Sequence, residues 1–236
     1  AGFNADEASV GYNAYSLLQT GKDEYGTSFP LVFKSFGDFK PGLYFYFVMP
    51  FIKILGLSEM AVRLPSALFG IATIFLVYLL GKKIFESEVV GLLSGLLLAI
   101  SPWHLQFSRG GWESNVATFF ITLGVYLFIQ GLEKGKYLLW GLLAFLISMY
   151  LYQSPRLVVP ALFIGLVIFY RGKIWKILKD NFKYTLLLLA LSVPLIFQFV
   201  GGGGSARFSG LSFLSDLGPA SRINELRGEH PNMSSK

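Results

Sequence analysis

The 236-residue sequence contains no cysteine and little charge, and both absences exclude classes of protein. Without cysteine there is no disulfide framework, no thiolate nucleophile and no cysteine-based metal site. Charged residues make up 14% of the chain, whereas about 25% is usual in soluble domains, so a normal water-facing surface is not available.

Long apolar stretches take the place of that surface. The hydrophobic share is 53% and the mean hydropathy is +0.56. A helix that crosses about 30 Å of hydrocarbon needs roughly 20 residues. On this basis we predict an all-α, polytopic membrane protein with about six spans, at residues 61–84, 89–103, 115–132, 137–152, 157–170 and 184–200.

The remaining segments flank this bundle. Residues 1–60 are predicted to form an outer loop with interfacial helices, because the apolar stretch 43–55 is short for a span. Residues 201–236 are predicted to be a glycine-rich loop and a polar tail.

The net charge of +6 is not read as a nucleic-acid signal, because the basic residues lie in short segments between spans. Excess Lys and Arg mark cytoplasmic loops. The segments with Lys82 and Lys83, with Lys134 and Lys136, and from Arg171 to Lys183 are therefore assigned to one, cytoplasmic face of a plasma (inner) membrane. The opposite, extracytoplasmic face then holds Asp6, Glu7, Asp38, Lys40, Arg63, Arg109, Glu113 and Arg156.

The acidic pair Asp6-Glu7 has a structural and a functional interpretation. Asn4 is able to cap a helix, and Glu7 stands three residues later, where a capping box requires it. That structural interpretation explains Glu7 well and Asp6 less well, so the pair stays a candidate for chemistry.

The cations on this face are open to similar alternatives. Lys40 precedes Pro41 beside aromatic residues and either reaches lipid headgroups or has a specific role. Arg63 is interpreted as an anchor for a helix end. Arg156 lies at the outer boundary of the hydrocarbon and needs an anionic partner or an aqueous cavity.

The segment 101–113 joins the second and third predicted spans. Arg109 and Glu113 are four residues apart and pair if this segment is helical. His104 is interpreted as a packed or interfacial residue and not as a ligand.

Several of these motifs, taken together and in order, resemble bacterial family-39 glycosyltransferases, the superfamily of protein O-mannosyltransferases and aminoarabinose transferases. The resemblance rests on residues 2–8, the Lys40-Pro41 element, residues 62–68, Ser101-Pro102-Trp103 and Ser108-Arg109. It covers residues 2–160, and this chain has Gly42 where relatives often have a second proline. Family members normally have a span before the acidic pair and continue further, so we expect a fragment, whose activity alone is not assured.

The resemblance implies a C-type glycosyltransferase fold and transfer of a sugar from a polyprenyl-phosphate lipid to a glycan, lipid or protein acceptor. It places Asp6 and Glu7 at the catalytic centre and Lys40 at the donor phosphate. Arg156 is added by position, and Arg109 with Glu113 are further candidates for substrate binding. No cofactor is predicted with certainty, although Asp6, Glu7 and Asp38 could offer oxygen ligands to a divalent cation.

Two alternatives have other functions. A transporter or flippase for a lipid-linked substrate commonly has ionisable groups at mid-membrane. The centres of the predicted spans lack them, which favours chemistry at the surface. A non-catalytic membrane assembly subunit would keep the helices without needing the acidic pair.

Overall fold

The computed structural model describes residues 4–35 and 38–200. In that part of the chain the helices are α1 (Ala5–Thr20), α2 (Leu43–Leu55), α3 (Glu59–Phe85), α4 (Glu88–Ala99), α5 (Pro102–Ser108), α6 (Glu113–Gly131), α7 (Lys136–Leu151), α8 (Pro155–Asp180) and α9 (Phe182–Val200). Strands β1 (Val32–Ser35) and β2 (Asp38–Pro41) form an antiparallel pair between α1 and α2. The prediction of an all-α membrane protein is confirmed.

Helices occur at all six places where the sequence predicts spans. By length and hydropathy, α3, α6 and α8 are each able to cross a membrane, and α4 with α5 would make a fourth span. That pair is bent by 63°, so the predicted continuous span at 89–103 is wrong in shape. The apolar helices Lys136–Leu151 and Phe182–Phe197 are shorter, so among the described residues three or four of the six predicted spans reach the length and hydropathy needed to cross a membrane.

The basic segment after residue 170 is helical and not the loop that the sequence predicts. Helix α8 continues to Asp180, with a kink at Tyr170, where φ is −120° and ψ is 16°. Its buried Ile174 packs with Phe128 and Leu138, and Ile177 packs against the same cluster. An apolar face at helical spacing therefore holds this part of α8 on α6 and α7.

The chain divides into two compact units, Ala1–Val193 and Pro194–Lys236. In the first unit, one core joins α1, β1, α2, α3, α6 and α7, and it includes buried Val10, Phe33, Tyr44, Val62 and Leu151. In the second unit only residues 194–200 are described, and they are helical. The predicted loop and tail at 201–236 lie outside the described residues, and the predicted boundaries at residues 60 and 200 stay predictions.

Contacts between helix ends distinguish two ends of the bundle. At one end, Lys83 Nζ lies 2.6 Å from Glu133 Oε1, which joins the end of α3 to the turn after α6. Gly135 of the same turn lies against Ile177 of α8. The three predicted cytoplasmic segments therefore meet at one end of the bundle. The acidic pair lies away from this end, beside the start of α3 and the turn before α6.

Candidate active site

The N-terminus of α1 carries the acidic pair. Asn4 is the N-cap and its Oδ1 accepts a hydrogen bond from Glu7 N at 2.8 Å. Glu7 Oε2 accepts one in return from Asn4 N at 3.2 Å. The predicted capping box is therefore present. It fixes the first turn of α1 and so the direction in which the Asp6 side chain points.

Asp6 contacts Lys40 of β2. Lys40 Nζ lies 2.6 Å from Asp6 Oδ1, and the side chain of Lys40 is 9% exposed while that of Asp6 is 49% exposed. The ammonium is thus held under a carboxylate that remains open to solvent or substrate. The structure brings together two of the residues that the sequence selected.

The hairpin that carries Lys40 is tied to α2 by an aromatic stack. Phe33, opposite Lys40 in the register, is fully buried and its ring stacks on Phe45 at a centroid distance of 3.9 Å. Gly42 N donates a hydrogen bond to Leu31 O at 2.9 Å. A proline at position 42 would lack that N–H, so glycine there has a structural reason.

Glu7 is buried and its carboxylate is fully engaged. Arg63 donates from Nε to Oε1 at 2.7 Å and from Nη2 to Oε2 at 2.8 Å. Gly111 N donates to Oε1 at 2.8 Å. The hydrogen bonds from Arg63, aided by those from Gly111 and Asn4 and opposed by burial, lower the pKa of Glu7 to about 2.

Arg63 is the site residue whose role the sequence missed. It does anchor the start of α3, where it also pairs with Glu59 at 3.2 Å. Its main contact, however, is the bidentate pair with Glu7, 56 positions earlier. The only signal in the sequence was the resemblance of residues 62–68, because no local pattern joins Arg63 to Glu7.

The turn that carries Arg156 lies beside the Lys40 hairpin. Gln153 Nε2 donates to Phe39 O at 2.7 Å, which joins the turn between α7 and α8 to β2. Arg156, which is half-buried, donates from Nε to Met149 O at 3.1 Å. The ends of α1, α3, α5 and α7 therefore meet in one region, away from the Lys83–Glu133 end.

Arg109 and Glu113 do not share a helix. Arg109 is the exposed C-cap of α5, and Glu113 is the first residue of α6. The condition for an i, i+4 helical pair is not met, because the chain turns through Gly110–Trp112 between them. This turn reaches the acidic pair through the backbone of Gly111.

Among the described residues, no three acidic or histidine side chains are grouped so that they could hold a metal ion. The contacts of Asp6 and Glu7 are with cations and N–H donors. The side chain of Asp38, the third ligand considered, lies outside the described part. A divalent cation at this site thus gains no support from the geometry.

The chain belongs to the dolichyl-phosphate-mannose-protein mannosyltransferase family, whose sequence model matches residues 40–197. The expected resemblance is thereby confirmed at the level of the family. The acidic pair lies before the matched residues, whereas Lys40, Arg63 and Arg156 lie within them.

Three relatives show how much of a longer protein the match covers. A protein of Aquifex aeolicus without a functional name is 34% identical over 133 residues, 56% of this chain and 26% of its own length. In Bacillus subtilis, "Putative mannosyltransferase YkcB" is 31% identical over 40% of this chain and 13% of its own length. "Putative mannosyltransferase YycA" is 25% identical over 71% and 25%. The match therefore spans about a quarter or less of each relative.

No solved structure matches the chain.

Proposed function

We propose that the protein transfers a sugar from a polyprenyl-phosphate lipid to a hydroxyl group of a glycan, lipid or protein acceptor, with inversion at the anomeric carbon. One observation carries the proposal: a half-exposed carboxylate, Asp6, touches a buried ammonium, Lys40, at the end of an apolar bundle. Because the match spans a quarter or less of each relative, the proposal concerns the full-length protein.

The reaction needs a base and a stabilised leaving group. The acceptor oxygen attacks the anomeric carbon, its proton passes to Asp6, and the bond from that carbon to the phosphate oxygen breaks. A positioned carboxylate contributes about 10²–10⁴-fold as a general base. The departing lipid phosphate needs no proton if fixed cations stabilise its charge.

Lys40 is assigned to that phosphate together with Arg156. An ammonium has three donors, so Lys40 keeps its hydrogen bond to Asp6 while it donates to a phosphate oxygen. The bond between Gln153 and Phe39 supports this pairing, since it holds the Arg156 turn against the strand of Lys40. Arg109 and Glu113 are assigned to substrate binding, because the turn between them is joined to Glu7 at Gly111.

Glu7 acts as a positioning residue. Its oxygens accept hydrogen bonds from Arg63, Gly111 and Asn4, and the residue is 2% exposed, so it does not reach substrate. It holds the first turn of α1 against α3 and the α5–α6 turn. That contact sets where Asp6 stands relative to Lys40.

The site is assigned to the extracytoplasmic side of the plasma membrane. The support is the separation of the two bundle ends: the basic segments meet at the Lys83–Glu133 end, and the acidic pair lies with the opposite helix ends. By the excess of Lys and Arg, the first end is cytoplasmic.

The test is donor consumption by full-length protein in proteoliposomes that contain radiolabelled polyprenyl-phosphate mannose. Asp6→Asn, which keeps the size of the side chain, is expected to lower transfer about 10²–10⁴-fold. The matched control is Glu59→Gln. It removes the half-exposed carboxylate of Glu59, which pairs with Arg63, and transfer is expected to persist.

Three outcomes would overturn the proposal. Near-normal transfer by the Asp6→Asn protein would show that Asp6 is not the general base. Wild-type protein that moves labelled donor across the bilayer without consuming it would be a flippase, and protein that does neither would be an assembly subunit.

A further inference from the structure

A cleft of about 280 Å³ opens beside the bend between α4 and α5, with α6 as its other wall. Its polar lining comprises Ser101, His104, Ser114, Asn115 and Thr118, and Trp103 adds an aromatic ring. None of these residues belongs to the contacts of Asp6, Lys40 or Glu7. The cleft is therefore a separate feature of the same bundle.

One polar side-chain atom of Asn115, Oδ1, has no hydrogen-bond donor among the described residues. The residue is 4% exposed, and its Nδ2 donates to Ser66 O at 2.8 Å and contacts Ser66 Oγ at 3.1 Å. A carbonyl oxygen only accepts, so this contact fixes which end of the amide faces Ser66. Oδ1 then points away from that contact and receives no hydrogen bond from the described residues.

His104 also has one ring nitrogen, Nδ1, without a hydrogen-bond partner among the described residues. The residue is 8% exposed, and its Nε2 lies 3.1 Å from Gly70 O. Nε2 also lies 3.5 Å from Ser108 Oγ. In the tautomer that donates Nε2–H to the Gly70 carbonyl, Nδ1 is an acceptor. No described residue donates to Nδ1.

These two acceptors are accessible atoms of residues that line the cleft. Among the described residues, no buried side-chain nitrogen or oxygen lacks a hydrogen-bond partner. Asn115 Oδ1 and His104 Nδ1 have no partner in the described part of the chain, so each is accessible, although its residue is more than nine-tenths buried. Both residues line the cleft, which is where an incoming donor would meet them.

The lining favours a neutral ligand with an apolar face and a few hydroxyl groups, because Leu98, Trp103 and Phe107 line the cleft beside its polar residues. In the described part of the chain the lining includes no Lys, Arg, Asp or Glu, so these residues offer a phosphate or carboxylate no charged partner. Trp103, which is 76% exposed, offers an apolar ring face. The volume lies just below the range of about 300–1,000 Å³ that is usual for drug-sized ligands, which suits a single sugar ring.

We propose that this cleft binds one uncharged pyranose, with sugar hydroxyls donating to Asn115 Oδ1 and His104 Nδ1 and one ring face against Trp103. The assignment rests on the proposed glycosyl transfer for the source of the sugar, which is the donor or a glycan acceptor. Binding itself is testable without turnover.

The binding test uses full-length protein in lipid nanodiscs and saturation-transfer NMR with methyl α-mannopyranoside, and mannose 1-phosphate as the charged comparison. Trp103→Ala is expected to weaken binding of the neutral sugar about tenfold, the equivalent of one aromatic contact. Trp140→Ala is the matched control, because Trp140 is also exposed, at 61%, but lies on α7 away from the cleft. Ser114→Ala is a second cleft variant and is expected to weaken binding too.

Unchanged sugar binding in both cleft variants would overturn the proposal. So would a loss of binding in the Trp140→Ala protein equal to that in the Trp103→Ala protein. Tighter binding of mannose 1-phosphate than of the neutral sugar would also overturn it. If wild-type protein binds the sugar but never transfers it, the proposed function fails and the cleft assignment stands.

The source of the sugar follows from the transfer assay. A raised KM for the polyprenyl-phosphate mannose in the Trp103→Ala protein assigns the cleft to the donor. A raised KM for a glycan acceptor assigns it to the acceptor. Unchanged KM values for both would contradict a role of the cleft in the reaction.

Discussion

The backbone N–H of Gly111 donates a 2.8 Å hydrogen bond to Glu7 Oε1 and so joins two residues that are 104 positions apart. Arg63 binds the same carboxylate through Nε and Nη2. One buried side chain thus ties the start of α1 to the start of α3 and to the turn before α6. This arrangement separates the roles of the two adjacent acids, because Glu7 is enclosed while Asp6 stays half-exposed.

Glu7→Gln is expected to destabilise the fold by roughly 2–4 kcal/mol, since it leaves Arg63 without its main partner in a largely buried position. Thermal unfolding of detergent-solubilised protein, followed by tryptophan fluorescence, measures the change. The control is Glu59→Gln, which removes the exposed partner of Arg63 and is expected to cost less than about 1 kcal/mol. Equal effects of the two variants would contradict the anchoring role of Glu7.

Stability is expected to depend on acid pH through Glu7. Its pKa is lowered from 4.5 to about 2, so the folded state binds this proton more weakly than the unfolded state does. The stabilisation is present above pH 4.5 and is lost as the pH falls from 4.5 towards 2. The Glu7→Gln protein should lack this part of the pH dependence in thermal unfolding, and a profile identical to that of wild type would contradict the prediction.

Lys40→Met is expected to lower transfer about 10²-fold, because it removes a cation from the proposed phosphate site. Lys40→Arg should restore part of the activity, since it returns the charge. Lys22→Met, at an exposed position, is the matched control and should leave transfer unchanged. Transfer by the Lys40→Met protein at the wild-type rate would remove Lys40 from the mechanism.

Close contact between α6 and α7 depends on glycine. A Cβ atom at Gly131 would clash with the backbone nitrogen and Cα of Leu138, so Gly131→Ala must push the backbones of α6 and α7 apart. We expect a loss of about 1–3 kcal/mol, as for other overpacked cores. Gly165→Ala is the matched control in α8, where no described atom outside the adjoining helix backbone lies within 4 Å of the added Cβ. The Tm of this variant should be unchanged or higher.

Membrane orientation is testable with single-cysteine variants of a full-length protein that is otherwise free of cysteine. Tyr25→Cys replaces a 56% exposed residue at the α1 end of the bundle, and Lys134→Cys replaces an exposed residue at the other end. An impermeant maleimide added to intact cells should label the first variant and should label the second only after the membrane is opened. Labelling of both from outside would contradict the proposed sidedness.

The sequence predicted those features that depend on neighbouring residues. Apolar stretches gave helices at all six expected places, and Asn4 with Glu7 gave the capping box. The interfacial segment 43–55 is a helix with the bounds Leu43–Leu55. His104 is packed, as interpreted.

The sequence was less successful where helices end or bend. The second span breaks at residues 100–101, next to Pro102, and α8 continues through the basic residues that were expected to form a loop. In α8 the apolar residues Ile174 and Ile177 find partners on α6 and α7, and this packing outweighs the polar neighbours. Local hydropathy does not report such partners.

By itself the sequence determined that the chain is a helical membrane protein with its acidic pair and basic segments in separate regions, because hydropathy, capping and charge patterns act over a few residues. Only the tertiary structure decided that Glu7 is enclosed by Arg63 and Gly111, that Asp6 meets Lys40, and that Asn115 and His104 line one cleft. These contacts join residues tens of positions apart, and the way in which the helices cross fixes which of them meet.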